Sequence, residues 1–335
     1  MGIRWIRDAP RPFPPSPFPP SPMLLAGLTG GCLGIADEAL ADGRVPDRRV
    51  TVWDWDFDPP VLGVLALVAW LYARGRSRRR RASRADRTDR RRPRVGGTRD
   101  AVCFASGVAA LLVVLVSPLD LMSDQLASAH MVQHMVMMTV AAPLMILGAT
   151  WQTCLGGLPP LSLRAFASIR RGVRSWTGRL RDHPQAVWWG YAITMWAWHL
   201  PWLYGLALRE PLVHDLQHLT FFASACAFWQ LSLSPHRGQR VSEPMAIALL
   251  FTTTLHATIL GVFMTVAPTA WYPEYFGRTE LWGWTPLEDQ QLAGLIMWMP
   301  ACAGYLLAAI WLFVRVLRQC EPTRPNSVLR KGVAG

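Results

Sequence analysis

The sequence predicts an all-α fold: a polytopic membrane bundle of seven transmembrane helices, with the amino terminus outside and the carboxyl terminus in the cytoplasm. Three observations carry this. The 335 residues are 51% hydrophobic and only 17% charged, with charge gathered into a few blocks and apolar residues into long runs, the pattern of a multispanning membrane protein. Several runs approach the roughly 20 apolar residues that cross about 30 Å of hydrocarbon. The arginines, finally, are concentrated in alternate connections, as cytoplasmic loops require.

In chain order, residues 1–58 form a separate lead. Pro10 to Pro22 is proline-rich and of low complexity, unable to donate regular hydrogen bonds or pack a core, and is expected to be disordered. Met23 to Ala36 is a short apolar run of signal-like character, which suggests that translation begins near Met23. Trp53, Trp55 and Phe57 then suit the interfacial belt that aromatic side chains favour. The membrane domain is expected over 59–317. Its spans are Pro59 to Ala73, Ala101 to Ser117, His130 to Thr150, Ala186 to Ala207, Leu212 to Leu233, Met245 to Pro268 and Leu292 to Val316. Residues 318–335 make a basic cytoplasmic tail.

The segment Arg74 to Arg99 holds 13 arginines, Arg164 to Arg181 six, and Arg315 to Lys331 five basic residues, with Arg237 and Arg240 in a further loop. The alternate connections hold two basic residues, Arg209 and Arg278. This asymmetry puts the arginine-rich sides in the cytoplasm. The formal charge of +12 does not point to nucleic acid. The cluster Arg78 to Arg81 directly follows a span, where topology and anionic lipid headgroups account for it, and neither a Gly-rich phosphate loop nor an aromatic stacking platform accompanies it.

With orientation assigned, six of the eight histidines reach one leaflet: His130, His134, His199, His214, His218 and His256. Each lies in an apolar stretch where an ionisable ring is costly without a partner. His130 and His134, and again His214 and His218, are four residues apart, so each pair projects from one helical face a turn apart. Such a pair offers two nitrogens to one metal, as in zinc motifs with two histidines at this spacing. Any one of these rings alone could simply be hydrogen-bonded across helices; six on one side, with the same spacing twice, indicate a shared metal. His183 and His236 fall in cytoplasmic loops and need no special role.

Imidazole suits zinc, copper, iron and nickel, and thioether sulfur selects cuprous copper. Met131, Met135, Met137 and Met138 flank the first pair, with Met264, Met297 and Met299 further on. Methionine is also a common packing residue, so these tilt the choice toward copper only slightly. Two histidines on facing helices could equally hold a heme iron, which leaves heme open. Cys32, Cys103, Cys154, Cys226, Cys302 and Cys320 are scattered, with no CxxC pair, which removes a thiol-based carrier or a thioredoxin-like motif.

The segments His130-Met-Val-Gln-His134 with Ala142-Pro-Leu, Trp198-His-Leu-Pro201 with Leu203-Tyr204, His214-Asp-Leu-Gln-His218 ending in Phe228-Trp229, and Asp289-Gln-Gln-Leu-Ala-Gly294 with Met297-Trp298 resemble the multispanning cytochrome c oxidase assembly factor CtaG family. The likeness runs from about Val61 to Leu317. It implies a seven-helix plasma-membrane protein that is not an enzyme, surrounded by lipid and associated with cytochrome c oxidase subunits. Such a protein would help assemble a heme-copper oxidase, acting as a chaperone that binds copper and hands it over. On that basis His130, His134, His214 and His218 are expected to form the principal copper site. His199 and His256 would be additional ligands or a second stage of transfer, and Asp289 and Gln290, at the outer entry of the seventh span, could hydrogen-bond the ring nitrogens that do not ligate, Asp289 being equally well read as an interfacial carboxylate. The competing classes are an integral-membrane di-iron oxygenase or desaturase and a bis-histidine cytochrome. The first resembles chains with HxxxH plus HxxHH boxes, and this chain has two HxxxH boxes without an adjacent histidine pair. The second would show a Soret band.

Overall fold

A computed structural model of the chain describes residues 48–85, 97–158, 182–233 and 241–320. The proline-rich and signal-like lead, much of the arginine block, the basic loop around Arg170, Arg237 and Arg240, and the tail beyond Cys320 lie outside the described residues. Those described belong to one unit, Val45–Gly335.

Among the described residues the secondary structure is helical, without strands. Long apolar runs leave the backbone one way to satisfy its N–H and C=O groups without water, and that is within the helix. The helices are α1 (Pro59–Ala85), α2 (Thr98–Val116), α3 (Pro118–Ser123), α4 (Ala127–Val136), α5 (Ala142–Leu147), α6 (Thr150–Gly157), α7 (Pro184–Trp198), α8 (Pro201–Arg209), α9 (Pro211–Leu233), α10 (Glu243–Thr265) and α11 (Pro286–Cys320). Among the described residues four helical stretches are long and apolar enough to cross a membrane: Thr98–Val116, Ala127–Leu147, Glu243–Thr265 and Pro286–Arg318. The other three predicted runs are helical as well, but their composition is mixed. The second half of α1 is arginine-rich, α7 has 15 residues, and α9 carries His214, Asp215, Gln217 and His218.

Two predicted spans depart from single straight helices. Ala186 to Ala207 is interrupted at its histidine. His199 caps α7, Leu200 is extended (φ −64°, ψ 130°), and Pro201 occupies the first turn of α8. The reason is local, because the residue before a proline is pushed out of the helical region. The span after His130 contains a π-helical turn, Met137–Ala141, between α4 and α5. Pro143 follows it, supplies no N–H and crowds the preceding turn, and the wider turn accommodates it.

The core gathers around α4, α9, α10 and α11. Helix α4 lies against α11, and α9 against α5 and α7. Trp229 Nε1 on α9 donates to the Met138 carbonyl in the π-helical turn at 2.8 Å, and Trp198 Nε1 on α7 donates to Thr220 Oγ1 on α9 at 2.8 Å. Helices α10 and α11 also approach closely, where Gly261 and Gly294 meet. A Cβ on Gly294 would lie 2.5 Å from Thr265 Oγ1 and 2.6 Å from the Gly261 carbonyl oxygen. Small residues permit such crossings in bundles. Gly294→Ala should therefore force the pair apart, at about 1–3 kcal/mol, and lower the thermal unfolding temperature in detergent. An unchanged temperature would show that the crossing can open freely.

The segment before α1 is fastened to the connections on the same side. Arg48 pairs with Asp54 at 2.8 Å, Gln125 Nε2 donates to the Arg48 carbonyl at 2.9 Å, and Arg49 lies 5.3 Å over the Trp282 ring. Val52, Trp53 and Phe57 remain exposed.

Candidate metal centre

Helices α4 and α9 each present a pair of histidines, and the tertiary structure brings the two pairs into contact. The ring centroids of His130 and His134 are 4.3 Å apart, and those of His214 and His218 are 4.2 Å apart. Across the helices, His130 is 5.2 Å from His214 and 6.3 Å from His218, and His134 is 5.1 Å from His218. One nitrogen from each of His130, His134 and His218 falls within a group no more than 4.8 Å across. His130 Nε2 and His134 Nε2 approach to 3.0 Å. Both rings on α4 are buried, while His214 and His218 on α9 are partly buried.

The donor set fits a cation that takes imidazole nitrogen. A buried polar atom nearly always has a hydrogen-bond partner. Yet among the described residues His134 Nδ1, His218 Nε2 and His199 Nε2 are buried with none. Gln217, one residue before His218, is buried beside them, 1% exposed. Lone pairs gathered out of water in this number are destabilising unless something electrophilic meets them.

His199 joins the margin of the cluster. Its Nδ1 donates to the Met195 carbonyl at 2.6 Å, which leaves the lone pair on Nε2, the usual way a neighbour selects the nitrogen free to ligate. The ring is 4% exposed and lies 6.4 Å from Tyr204 and 6.2 Å from Phe221, the phenylalanine that also packs on His134 at 4.7 Å. His256 is placed apart. Its ring meets Trp188 edge-on at 5.6 Å, and among the described residues it contacts no other histidine ring.

Asp289 and Gln290 are used differently from the expectation, which had them bonding ring nitrogens. Asp289, 1% exposed, accepts from the Ala127 and Ser128 amides at 2.6 and 3.2 Å and from Ser128 Oγ at 2.5 Å. It thus caps the first turn of the helix that carries His130 and His134. Leu126 precedes that helix and has no capping side chain, and the first amides of any helix need acceptors. A carboxylate from α11 provides them and opposes the positive helix end. Gln290 accepts from the Trp271 amide at 2.6 Å and donates to the Met264 carbonyl at 3.4 Å, holding the connection between α10 and α11.

That connection covers the cluster. Tyr272 OH donates to the His199 carbonyl at 3.1 Å, Tyr275 OH to the Ser123 carbonyl at 3.1 Å, and Arg278 Nη1 to the Asp124 carbonyl at 2.9 Å. Arg209 and Glu274 pair at 2.5 Å on its outer side, where Gly205 leaves room for the carboxylate. Tyr275 and Gln217 were not among the predicted site residues. Gln217 carried a signal, being polar in an apolar helix and adjacent to His218. Tyr275 carried none, since tyrosine is ordinary in an interfacial loop.

A family model described as cytochrome c oxidase caa3 assembly factor (Caa3_CtaG) matches residues 68–319 of the chain. No curated protein and no solved structure matches it.

Proposed function

The chain belongs to the cytochrome c oxidase caa3 assembly factor family, and from that membership we propose that it binds copper in the histidine cluster and hands it to a subunit of the oxidase. The observation that carries this is the grouping of one nitrogen each from His130, His134 and His218 within 4.8 Å, with His214 beside them and buried ring nitrogens without partners. His130, His134, His214 and His218 supply the donors, and His199 stands ready at the margin. Copper is the cargo here, so the protein is a carrier that makes and breaks no substrate bond. Imidazole ligands, neutral and moderately soft, suit a cation that must be held and then released.

The proposal includes seven spans in the plasma membrane, the amino terminus outside, with α1, α7–α8 and α9 crossing beside the four stretches that are long and apolar enough to do so. The arginine asymmetry supports this orientation, and on α9 Gln217 is buried and His214 and His218 are partly buried, turned into the bundle as intramembrane polar groups are. The cluster then lies toward the outer surface, within reach of extracytoplasmic copper. A heme is the weaker reading, because a porphyrin needs its two axial imidazoles on opposite faces, and these rings lie against one another.

Metal analysis of detergent-purified protein from copper-replete cells tests the reading. Copper in fixed proportion to the chain, lost on His218→Ala and kept on His256→Ala, is expected. Protein without copper, or with copper indifferent to His218, would refute it.

A further inference from the structure

The proton inventory around Tyr275 carries a further step. A phenol has one proton to donate. Tyr275 OH gives it to the Ser123 carbonyl at 3.1 Å, which can only accept. The Tyr275 oxygen must therefore be the acceptor in its other two contacts. Tyr204 OH, 3.0 Å away, donates to it, and so does Nδ1 of His130, at 3.5 Å, a ring that also donates to the Ser123 carbonyl. His130 then carries its proton on Nδ1 and its lone pair on Nε2, the nitrogen that faces His134 Nε2 at 3.0 Å. Two lone pairs cannot face each other at that distance, so His134 carries its proton on Nε2 and donates across the gap. Its Nδ1 becomes an acceptor without a donor, in agreement with the absence of any partner for that atom among the described residues.

We propose that Tyr275 is a positioning residue for the metal centre: it takes the Nδ1 proton of His130 and so turns the Nε2 lone pair into the cluster. The proton between the two Nε2 atoms marks the place a cation takes over, and His134 must move its proton to the vacant Nδ1 when that happens. Tyr204 reinforces the arrangement. It spends its own proton on Tyr275, stacks on Tyr272 at 4.0 Å and lies 5.1 Å from the His130 ring. A partner on the far nitrogen that fixes ring orientation and tautomer is the common support for a metal-bound imidazole. Here it would come from a loop 145 residues along the chain. The identity of the cation rests on the copper reading, while the tautomers do not.

The test uses full-length protein in detergent, stripped of metal and labelled with 15N-histidine, with His130 and His134 assigned through His130→Gln and His134→Gln. The wild-type protein should show His130 protonated on Nδ1 and His134 on Nε2. Tyr275→Phe keeps the buried ring and removes the acceptor. It should mix the His130 tautomers and weaken copper binding by about 10- to 100-fold at unchanged stoichiometry. Tyr272→Phe, which loses an equally buried phenol bonded to a backbone carbonyl, should leave both tautomers as they are. A His130 proton on Nε2 in the wild type overturns the proposal without any variant. So does a Tyr275→Phe protein with wild-type tautomers and affinity. If the wild type shows the stated tautomers but takes up no copper, the copper reading fails and the positioning by Tyr275 stands.

Discussion

Replacing His130 and His134 together with alanine is expected to abolish copper retention in the purified protein. Of the three nitrogens that lie within 4.8 Å of one another, the double variant removes two, leaving His218 and His214 on a single helix with nothing opposite. Loss of one outer-shell partner commonly weakens metal sites about 10- to 100-fold, so loss of two ligands should exceed about 100-fold. The two rings are 0% and 1% exposed, and emptying that space also opens a cavity in the core. The glutamine pair His130→Gln and His134→Gln fills more of the volume and separates ligand loss from collapse. Both variants should read as copper-free while the glutamine pair keeps its thermal unfolding temperature within a few degrees. Copper at wild-type proportion in either folded variant would dismiss the assignment.

The second large effect is expected at a residue that touches no histidine. Asp289→Ala removes the acceptor for two α4 amides and the Ser128 hydroxyl at a site 1% exposed. Hydrogen bonds to a charged group are worth about 1.5–3 kcal/mol each, and leaving their donors buried and unpaired is costly in itself. A loss of about 3 kcal/mol or more is anticipated. It should appear as a lower unfolding temperature and as faster hydrogen exchange at Ala127, Ser128 and His130, with copper binding weakened because the helix carrying two ligands starts to fray. Asp289→Asn, which retains one acceptor oxygen, should fall between. Unchanged exchange at the first turn of α4 would remove the capping role and return Asp289 to a carboxylate of no structural consequence.

Much of the architecture was legible. Apolar runs of membrane-spanning length are local patterns, and each of the seven predicted runs is helical among the described residues, four of them long and apolar enough to span. The spacing of His130 with His134 and of His214 with His218 is equally local. A helix turns that spacing into a shared face whatever surrounds it. The interruption at His199 was half visible, since Pro201 announces it. Other features were out of reach because their partners are distant in the chain. Asp289 meets Ala127 from 162 residues away, and no periodicity links a carboxylate at the start of one helix to the uncapped amides of another. His256 sits at a depth that suggested membership of the cluster. Depth along the membrane normal, however, leaves rotation about the helix axis undetermined, and α10 turns this ring toward Trp188.

Local pattern alone makes this a helical membrane protein carrying two histidine pairs, because solvent transfer and helical periodicity act on neighbours within a few turns. That the pairs face each other, that α11 caps the helix of the first pair, and that a tyrosine from the covering loop meets His130 emerge with the folded bundle. Those outcomes depend on how helices rotate and pack against one another, and packing is settled by contacts between segments that share no local pattern.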